Sequence, residues 1–322
     1  NLKELSHLFR RHGGSLVNYG YDVYIAAYLL NPSDNRYDLK TLALRFLDRP
    51  ILGEEDFLGK GKKRVAWTDK SEREIADFII EECAVVADLY AILPKAVEQM
   101  EMTGLMNQIE MPLIEIMASM EHQGFKIDLD ALTHLSKTFE TRIEDLSEEI
   151  YEMAGKTFNI NSAKQLGTIL FDKLELPAVK KTKTGYSTSV DVLEQLRPFH
   201  PIVPDILEYR TVSKLDSTYG KGLIKLVDPK TKKVYSHFNQ TVTATGRISS
   251  SDPNLQNIPV KTDLGREIRR VFIPSASDRL LLDADYSQIE LRVLAHLTGD
   301  KNLIEAFIRE RHQKYLAYLW IQ

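Results

Sequence analysis

Between residues 128 and 153 the apolar side chains of Leu132, Leu135, Phe139, Ile143, Leu146 and Ile150 return every three or four positions, with charged residues filling the gaps. That period predicts a single long amphipathic helix, about 38 Å from end to end at 1.5 Å per residue, capped by Asp128 and packed along other helices through its apolar stripe. The same period runs through much of the chain before it. It links Leu2, Leu5 and Phe9, then Val23, Ala27 and Leu30, then Ile75, Ile79, Val86, Leu89 and Leu93, and it places Leu113, Ile116, Met117 and Met120 on one side of a helix over 110–123. The Gly/Lys-rich stretch 59–63 reads as an exposed loop. Residues 163–174 form a short helix introduced by 158–162, and a polar loop over 180–189 carries Lys180, Lys181 and Lys183. Helix resumes over 190–196 and 204–226. At 233–242 the period changes to alternation, Val234, Ser236, Phe238, Gln240, Val242, the mark of a strand. A helical arm therefore gives way to a sheet-containing domain, and the fold class is α+β and helix-rich.

With 322 residues, 43% hydrophobic and 27% charged, the chain can bury a core of two or three domains, which excludes a disordered segment. Its longest apolar stretch, 75–93, is broken by Glu and Asp and falls short of a membrane span. A single cysteine, Cys83, excludes an internal disulfide and a cysteine-cluster zinc site and fits a reducing compartment, so cytoplasm is the expected location. Asn1 opens directly into an amphipathic helix with no signal peptide, and the chain is expected to begin inside a domain. The net charge of −4 gives no global sign of a nucleic-acid partner. Locally, residues 209–237 set seven cations, Arg210, Lys214, Lys221, Lys225, Lys230, Lys232 and Lys233, against Asp216 and Asp228, an excess of +5. Such a run is either a solvated face or a contact for phosphates.

The segment LLLDADYSQIELRVLAHLTGD, residues 280–300, carries the most chemistry. An apolar run, Leu280 to Leu282, leads to Asp283 and Asp285 and then to a helix in which Ile289, Val293 and Leu297 recur. Read from the residues, this is a buried strand bringing a carboxylate to a sheet edge, where Mg²⁺ takes one or two carboxylates together with substrate phosphates. An acidic residue there is also an ordinary helix cap.

DYSQIELR, residues 285–292, resembles motif A of the palm in family A DNA polymerases. TATGRISSSDPNLQNIPVKTDLGREIRRVF, residues 243–272, is similar to the family's TGR and PNLQNIP segments, and LEYRTVSKLDSTY, residues 207–219, to its thumb-to-palm helix. Three long motifs in the family's order exclude chance, and the similarity extends from Asn1 to about Phe307. The resemblance implies a Mg²⁺-dependent, DNA-templated transfer of a dNMP from a dNTP to a primer 3′-hydroxyl. Asp285 would hold both metal ions, with the Tyr286 backbone carbonyl completing one shell. Glu290 would close off the space of a ribose 2′-hydroxyl, with Gln288 and Lys261 beside it on the dNTP. Lys261 stands where the family commonly has arginine, keeping the charge and losing the bidentate fork. Arg247 would reach into the minor groove at the primer terminus, where acceptors occur on every base pair, with Gln256 and Asn257 as neutral donors nearby. Arg210 and Lys214 would hold the duplex backbone. FNINSAKQLGTILF, residues 158–171, places Asn159 and Ser162 against sugar-phosphate, although short polar residues before a helix are more often caps.

The first hundred residues look like the later part of the family's ribonuclease H-like 3′–5′ exonuclease domain, with its carboxylate set broken. NLKEL puts Leu5 where the family has aspartate, and FIIEE puts Phe78 and Glu82 where it has tyrosine and aspartate. Asp22 is explained by capping or solvation. Proofreading is therefore expected to be absent. The resemblance divides the chain into 1–105, the end of a degenerate exonuclease-like domain; 106–227, thumb and connecting helices; 228–307, the first part of an antiparallel palm; and 308–322, a divergent tail. The family's fingers helix and its second metal carboxylate lie outside these residues, so this chain alone is expected to bind DNA without extending it. A monomer acting on primer-template DNA and dNTP is expected, with a non-catalytic primer-template binding module as the alternative.

Overall fold

The computed structural model describes all residues except Asn35, 179–180, 183–184, Lys261 and 319–322. Two compact units emerge, Asn1–Ser275 and Ala276–Gln322.

The first unit starts with helices that carry their own caps. In α1 (Leu2–Arg11) the Asn1 side chain accepts from the Glu4 N–H, and in α2 (Val23–Leu30) Asp22 accepts from the N–H groups of Tyr24 and Ile25. Asp38 caps α3 (Leu39–Leu47), and the short α4 (Glu54–Leu58) follows. Ser71 and Glu74 form a reciprocal capping box at the head of the long α5 (Glu72–Gln99). The face that α5 buries is Phe78, Val85, Leu89, Leu93 and Val97, whereas Ile79 and Val86, expected on that face, are exposed. Each sits one position beyond a buried residue, about 100° further round the helix. α5 packs on α2 and α3, and the resulting core takes in Met106, Met111 and Ile114 from the following turns.

After the one-turn α6 (Thr103–Leu105), α7 (Met111–Gln123) buries Met111, Ile114, Met117, Ala118 and the carboxylate residue Glu121. Ile116 and Met120 point outward, contrary to the stripe expected from sequence. Gly124 then takes φ +57, and a Cβ there would come within 2.7 Å of the Tyr235 ring and the Val234 carbonyl oxygen. That close approach lets β1 (Phe125–Ile127) start a three-stranded antiparallel sheet.

α8 (Leu129–Ala154) follows, capped by Asp128 as the sequence predicts and buried along Leu132, Phe139, Leu146 and Ile150. A second core gathers at its far end. This core unites α9 (Ala163–Gly167), the wide helical turn Thr168–Lys173, α10 (Val190–Leu196) and α11 (Ile202–Leu215), with the small ladder β2 (Lys181–Thr182) and β3 (Gly185–Tyr186) nearby. α11 runs along α8, and Arg142 clamps Glu208 across the pair with two bonds of 2.7 and 2.9 Å. Ser136 donates to the buried Asp216 at 2.7 Å just beyond α11.

α12 (Lys221–Leu226) leads into β4 (Lys233–Val234) and β5 (His237–Asn239). The strand expected over 233–242 is thus two strands in two sheets. The chain breaks at Ser236, whose hydroxyl turns inward to Ser250 and to the Pro253 carbonyl, 2.7 Å from each. β4 and β7 (Phe272–Ile273) flank β1, while β5 pairs with β6 (Ser249–Ser251) in register His237↔Ser251. α13 (Asp263–Arg270) joins the two sheets in sequence.

In the second unit, α14 (Ile289–Thr298) and α15 (Lys301–Tyr318) pack on each other around Gly299, φ +66. Leu280 to Leu282, expected as a buried strand, are exposed and outside any strand, and Ile289, Val293 and Leu297 are exposed as well. A strand exists only against a neighbour that completes its hydrogen-bond ladder, and no strand among the described residues pairs with this run.

Candidate nucleic-acid interface

Along one side of α11 runs an open groove with a cavity volume of about 1060 Å³, walled opposite by Asn254, Asn257 and Pro259. Arg210, Lys214 and Asn257 share it, so three of the residues expected on DNA lie on one surface. Two glutamates also line it, but Glu194 is held by Arg197 at 2.9 Å and Glu208 by Arg142. Their charges are locally compensated, and the groove keeps a cationic character. Lys214 is exposed, whereas Arg210 is half-buried and donates to the backbone carbonyl and hydroxyl of Thr188. Burial pulls its guanidinium down from the ordinary value, though an arginine stays cationic in a protein. The rest of the basic stripe is not uniformly available. Lys221 bonds Glu140 at 2.7 Å, and Lys233 donates to the Gln123 carbonyl at 2.6 Å.

At the edge of the β5–β6 hairpin, residues 240–248 form the loop that carries Arg247 outward. Gly246 turns the chain at φ +78. Thr243 closes the turn by donating its hydroxyl to the Arg247 carbonyl at 2.6 Å. Gln256 sits beside the turn, one amide N–H donating to the Ile248 carbonyl at 2.8 Å. The short helical turn Leu255–Asn257 therefore touches the Arg247 loop with one residue and lines the groove with another.

Asn159 and Ser162 behave as caps. Ser162 accepts from the Gln165 N–H, and Asn159 accepts from the Asn161 N–H at 3.0 Å while its own N–H reaches Gln165. Lys261 lies outside the described residues.

In the second unit Asp285 and Asp283 are exposed carboxylates in the irregular segment before α14, followed by Tyr286, also exposed. Gln288 takes the N-cap position of α14 at φ 51, and Glu290 lies in its first turn. Arg292 ties the helix back to the Ser287 carbonyl at 2.7 Å and stacks its guanidinium 4.6 Å over Phe307.

Of the positions where the exonuclease pattern is broken, Phe78 sits in an aromatic cluster. Phe78 stacks on Phe57 at 4.6 Å between centroids, with Trp67 at 5.8 Å. Leu5 is exposed on α1. Asp22 is 4% exposed, caps α2 and accepts from the Leu2 N–H at 2.7 Å. Burial, reinforced by the charge of Glu54, pushes the Glu82 carboxyl up from its ordinary value. Among the described residues no group of three or more His, Cys, Asp or Glu side chains is gathered for a metal ion.

The bonds by which Lys3, Tyr28, Glu110 and Glu121 tie the helices to Phe238, Gln240 and Thr243 of the hairpin were not legible in the sequence. One signal was available for Glu121. It falls on the buried face of α7, four residues after Met117, where an acid needs buried partners.

The family model described as DNA polymerase family A matches residues 129–314. The chain belongs to DNA polymerase family A. A second model, the ribonuclease H-like domain of DNA polymerase I, matches residues 1–89 of this family A chain. Among curated relatives, DNA polymerase I of Geobacillus stearothermophilus is 48% identical over 289 residues, covering 90% of this chain and 33% of the relative. DNA polymerase I of Bacillus subtilis is 45% identical over 301 residues, 94% of this chain and 34% of the relative. The chain thus spans about a third of the length of these relatives. A solved structure, the POL domain of Pol1 from M. smegmatis in complex with DNA primer-template and dNTP, superposes with a TM-score of 0.83 at 36% identity, covering 96% of this chain and 51% of that one. No helix among the described residues is long and apolar enough to cross a membrane.

Proposed function

We propose that this chain is the primer-template-gripping part of a DNA-templated DNA polymerase, carrying the first of its metal-binding carboxylates. One observation carries the reading: the turn Leu255–Asn257 connects the cationic groove of Arg210 and Lys214 to the loop that presents Arg247. A duplex lying in the groove meets phosphate-binding cations on α11. Its minor groove meets a guanidinium that reads pairing without reading sequence. On this reading residues 1–105 are a relic of an exonuclease domain, 106–227 the thumb, 228–307 the first part of the palm and 308–322 a tail, and the protein works as a monomer in the cytoplasm.

Family A polymerases and ribonuclease H-like nucleases are generally dependent on divalent metals. The donors near α14 fit Mg²⁺ in kind, since the carboxylate of Asp285 and the carbonyl of Tyr286 are hard oxygens, and their exposure leaves room for waters and phosphates in the shell. The chemistry such ions supply when bound is stabilisation of the attacking and leaving oxygens of an in-line phosphoryl transfer. On this reading Glu290 and Gln288, at the start of α14, act on the incoming dNTP, with Glu290 excluding a ribose; Lys261, also expected to act on the dNTP, lies outside the described residues. Proofreading is absent, because Leu5 and Phe78 cannot ligate a cation and Phe78 is committed to an aromatic stack.

The test is single-nucleotide incorporation by the full-length protein on a primer-template with Mg²⁺. Incorporation that is lost in Asp285→Asn, together with no release of 3′ nucleotides, supports the proposal. Salt-dependent duplex binding with no incorporation under any condition favours a non-catalytic binding module instead.

A further inference from the structure

The chain that enters the Arg247 loop is fastened at three residues within six, Phe238, Gln240 and Thr243, to α1, α2 and α7. The Phe238 N–H donates to Glu121 at 2.6 Å, and the Phe238 carbonyl accepts from Lys3 at 2.6 Å. The Gln240 amide donates to the carbonyl of Glu110 at 2.8 Å and to its carboxylate. The Tyr28 hydroxyl, on α2, donates to the Thr243 carbonyl at 2.7 Å. Tyr28, Glu110, Glu121 and Gln240 are all buried, at 2%, 8%, 5% and 9% exposure, so these bonds are shielded from competing water. Thr243 then passes the constraint on, because the same residue donates its hydroxyl to the Arg247 carbonyl. Beyond Arg247, Gln256 fixes Ile248. Arg247 is therefore an exposed residue held between two fixed backbone points, one of them set by Tyr28 in the helical body of residues 1–105.

We propose that Tyr28 is a positioning residue for Arg247, and that the helical body which has lost its exonuclease ligands serves polymerisation by setting where the Arg247 loop stands against the primer terminus. This inference rests on the reading of Arg247 as a duplex contact. A hydroxyl-to-carbonyl bond directs the Thr243 peptide plane, and the Thr243 hydroxyl carries that orientation to the next turn of the loop. Losing the Tyr28 hydroxyl leaves the ring in its packing against Tyr37, 5.8 Å between centroids, so the fold survives while the loop loses its reference point.

The experiment is a double-mutant cycle in the full-length protein, reading primer-template Kd and the kcat and KM of single-nucleotide incorporation from matched and mismatched termini. Tyr28→Phe is expected to lower matched incorporation about two- to tenfold, the size of one hydrogen bond, with the fold retained and the melting temperature lowered by only a few degrees. In an R247A background the same substitution is expected to have no further effect. Thr243→Val is expected to behave the same way in both backgrounds. If the effects of Y28F and R247A multiply, or if Y28F has no effect with Arg247 in place, the positioning role is overturned while the polymerase reading stands. If R247A alone changes neither affinity nor incorporation, it is the reading of Arg247 that fails.

Discussion

Replacing Glu121 by alanine should loosen the attachment of the first helices to the β5–β6 hairpin more than any other single change at that seam. The carboxylate is 5% exposed and accepts from the Lys3 ammonium at 2.6 Å, from the Phe238 N–H at 2.6 Å and from the His7 ring at 2.5 Å. Truncation leaves the Phe238 N–H without its acceptor and the Lys3 ammonium with the Phe238 carbonyl but no carboxylate. Breaking one side of a buried ion pair costs ~3–5 kcal/mol, which in a body of this size corresponds to a melting shift of about 6–20 °C. Glu121→Gln keeps an acceptor and the volume but removes the charge, and should cost about 1.5–3 kcal/mol, the range of hydrogen bonds to charged groups. Thermal melts of both variants, with amide exchange followed at Phe238, separate the two contributions. Loss of less than about 1 kcal/mol in Glu121→Ala, the level of an exposed pair, with Phe238 still protected, would refute the reasoning.

Three further expectations follow from the same geometry. Burial pushes the Glu121 carboxyl up, but the bonds from Lys3, Phe238 and His7 outweigh it and hold the group below its ordinary 4.5. The native state therefore favours the ionised form, so its contribution to stability is complete above about pH 4.5 and fades as the pH falls through the lowered value. Melts from pH 6 to 3 should show that loss in the parent and a flatter profile in Glu121→Gln. Gly124→Ala forces a side chain into positive φ and against the Val234 carbonyl, and should destabilise the protein by at least about 1–2 kcal/mol, read as a lowered urea midpoint. Asp285→Asn in the full-length protein should abolish incorporation yet leave primer-template affinity within about twofold, a gap under 0.5 kcal/mol, measured by fluorescence anisotropy.

The long helices were legible because their periods persist. α8 begins at the cap that Asp128 announces and buries the stripe that its sequence predicts. In α5 the pattern misled by one position, at Ile79 and Val86, because its apolar residues fit two neighbouring faces and only the partner helices decide between them. β1 went unseen, since three residues cannot display an alternation. Leu280 to Leu282 had a strand's composition without a strand's neighbour, and pairing is a property of two segments. Of the candidate site, the cationic residues of α11 and the turn carrying Arg247 were readable as motifs. Their meeting through Leu255–Asn257 and the buried fastening of the hairpin through Tyr28, Glu110 and Gln240 were not. The fastening contacts span more than a hundred residues of sequence, and a tyrosine or glutamine gives no local sign of its distant acceptor.

The groove along α11 is tested most directly by the salt dependence of primer-template affinity in the full-length protein and in an Arg210→Gln/Lys214→Gln variant. Each phosphate contact contributes about 0.9 to the slope of log K against log salt. Both cations sit on the groove wall, so the slope should fall by roughly 1.8 in the double variant, with affinity reduced at low salt. An unchanged slope with a native melting temperature would mean that the duplex lies elsewhere on the protein and would contradict the account.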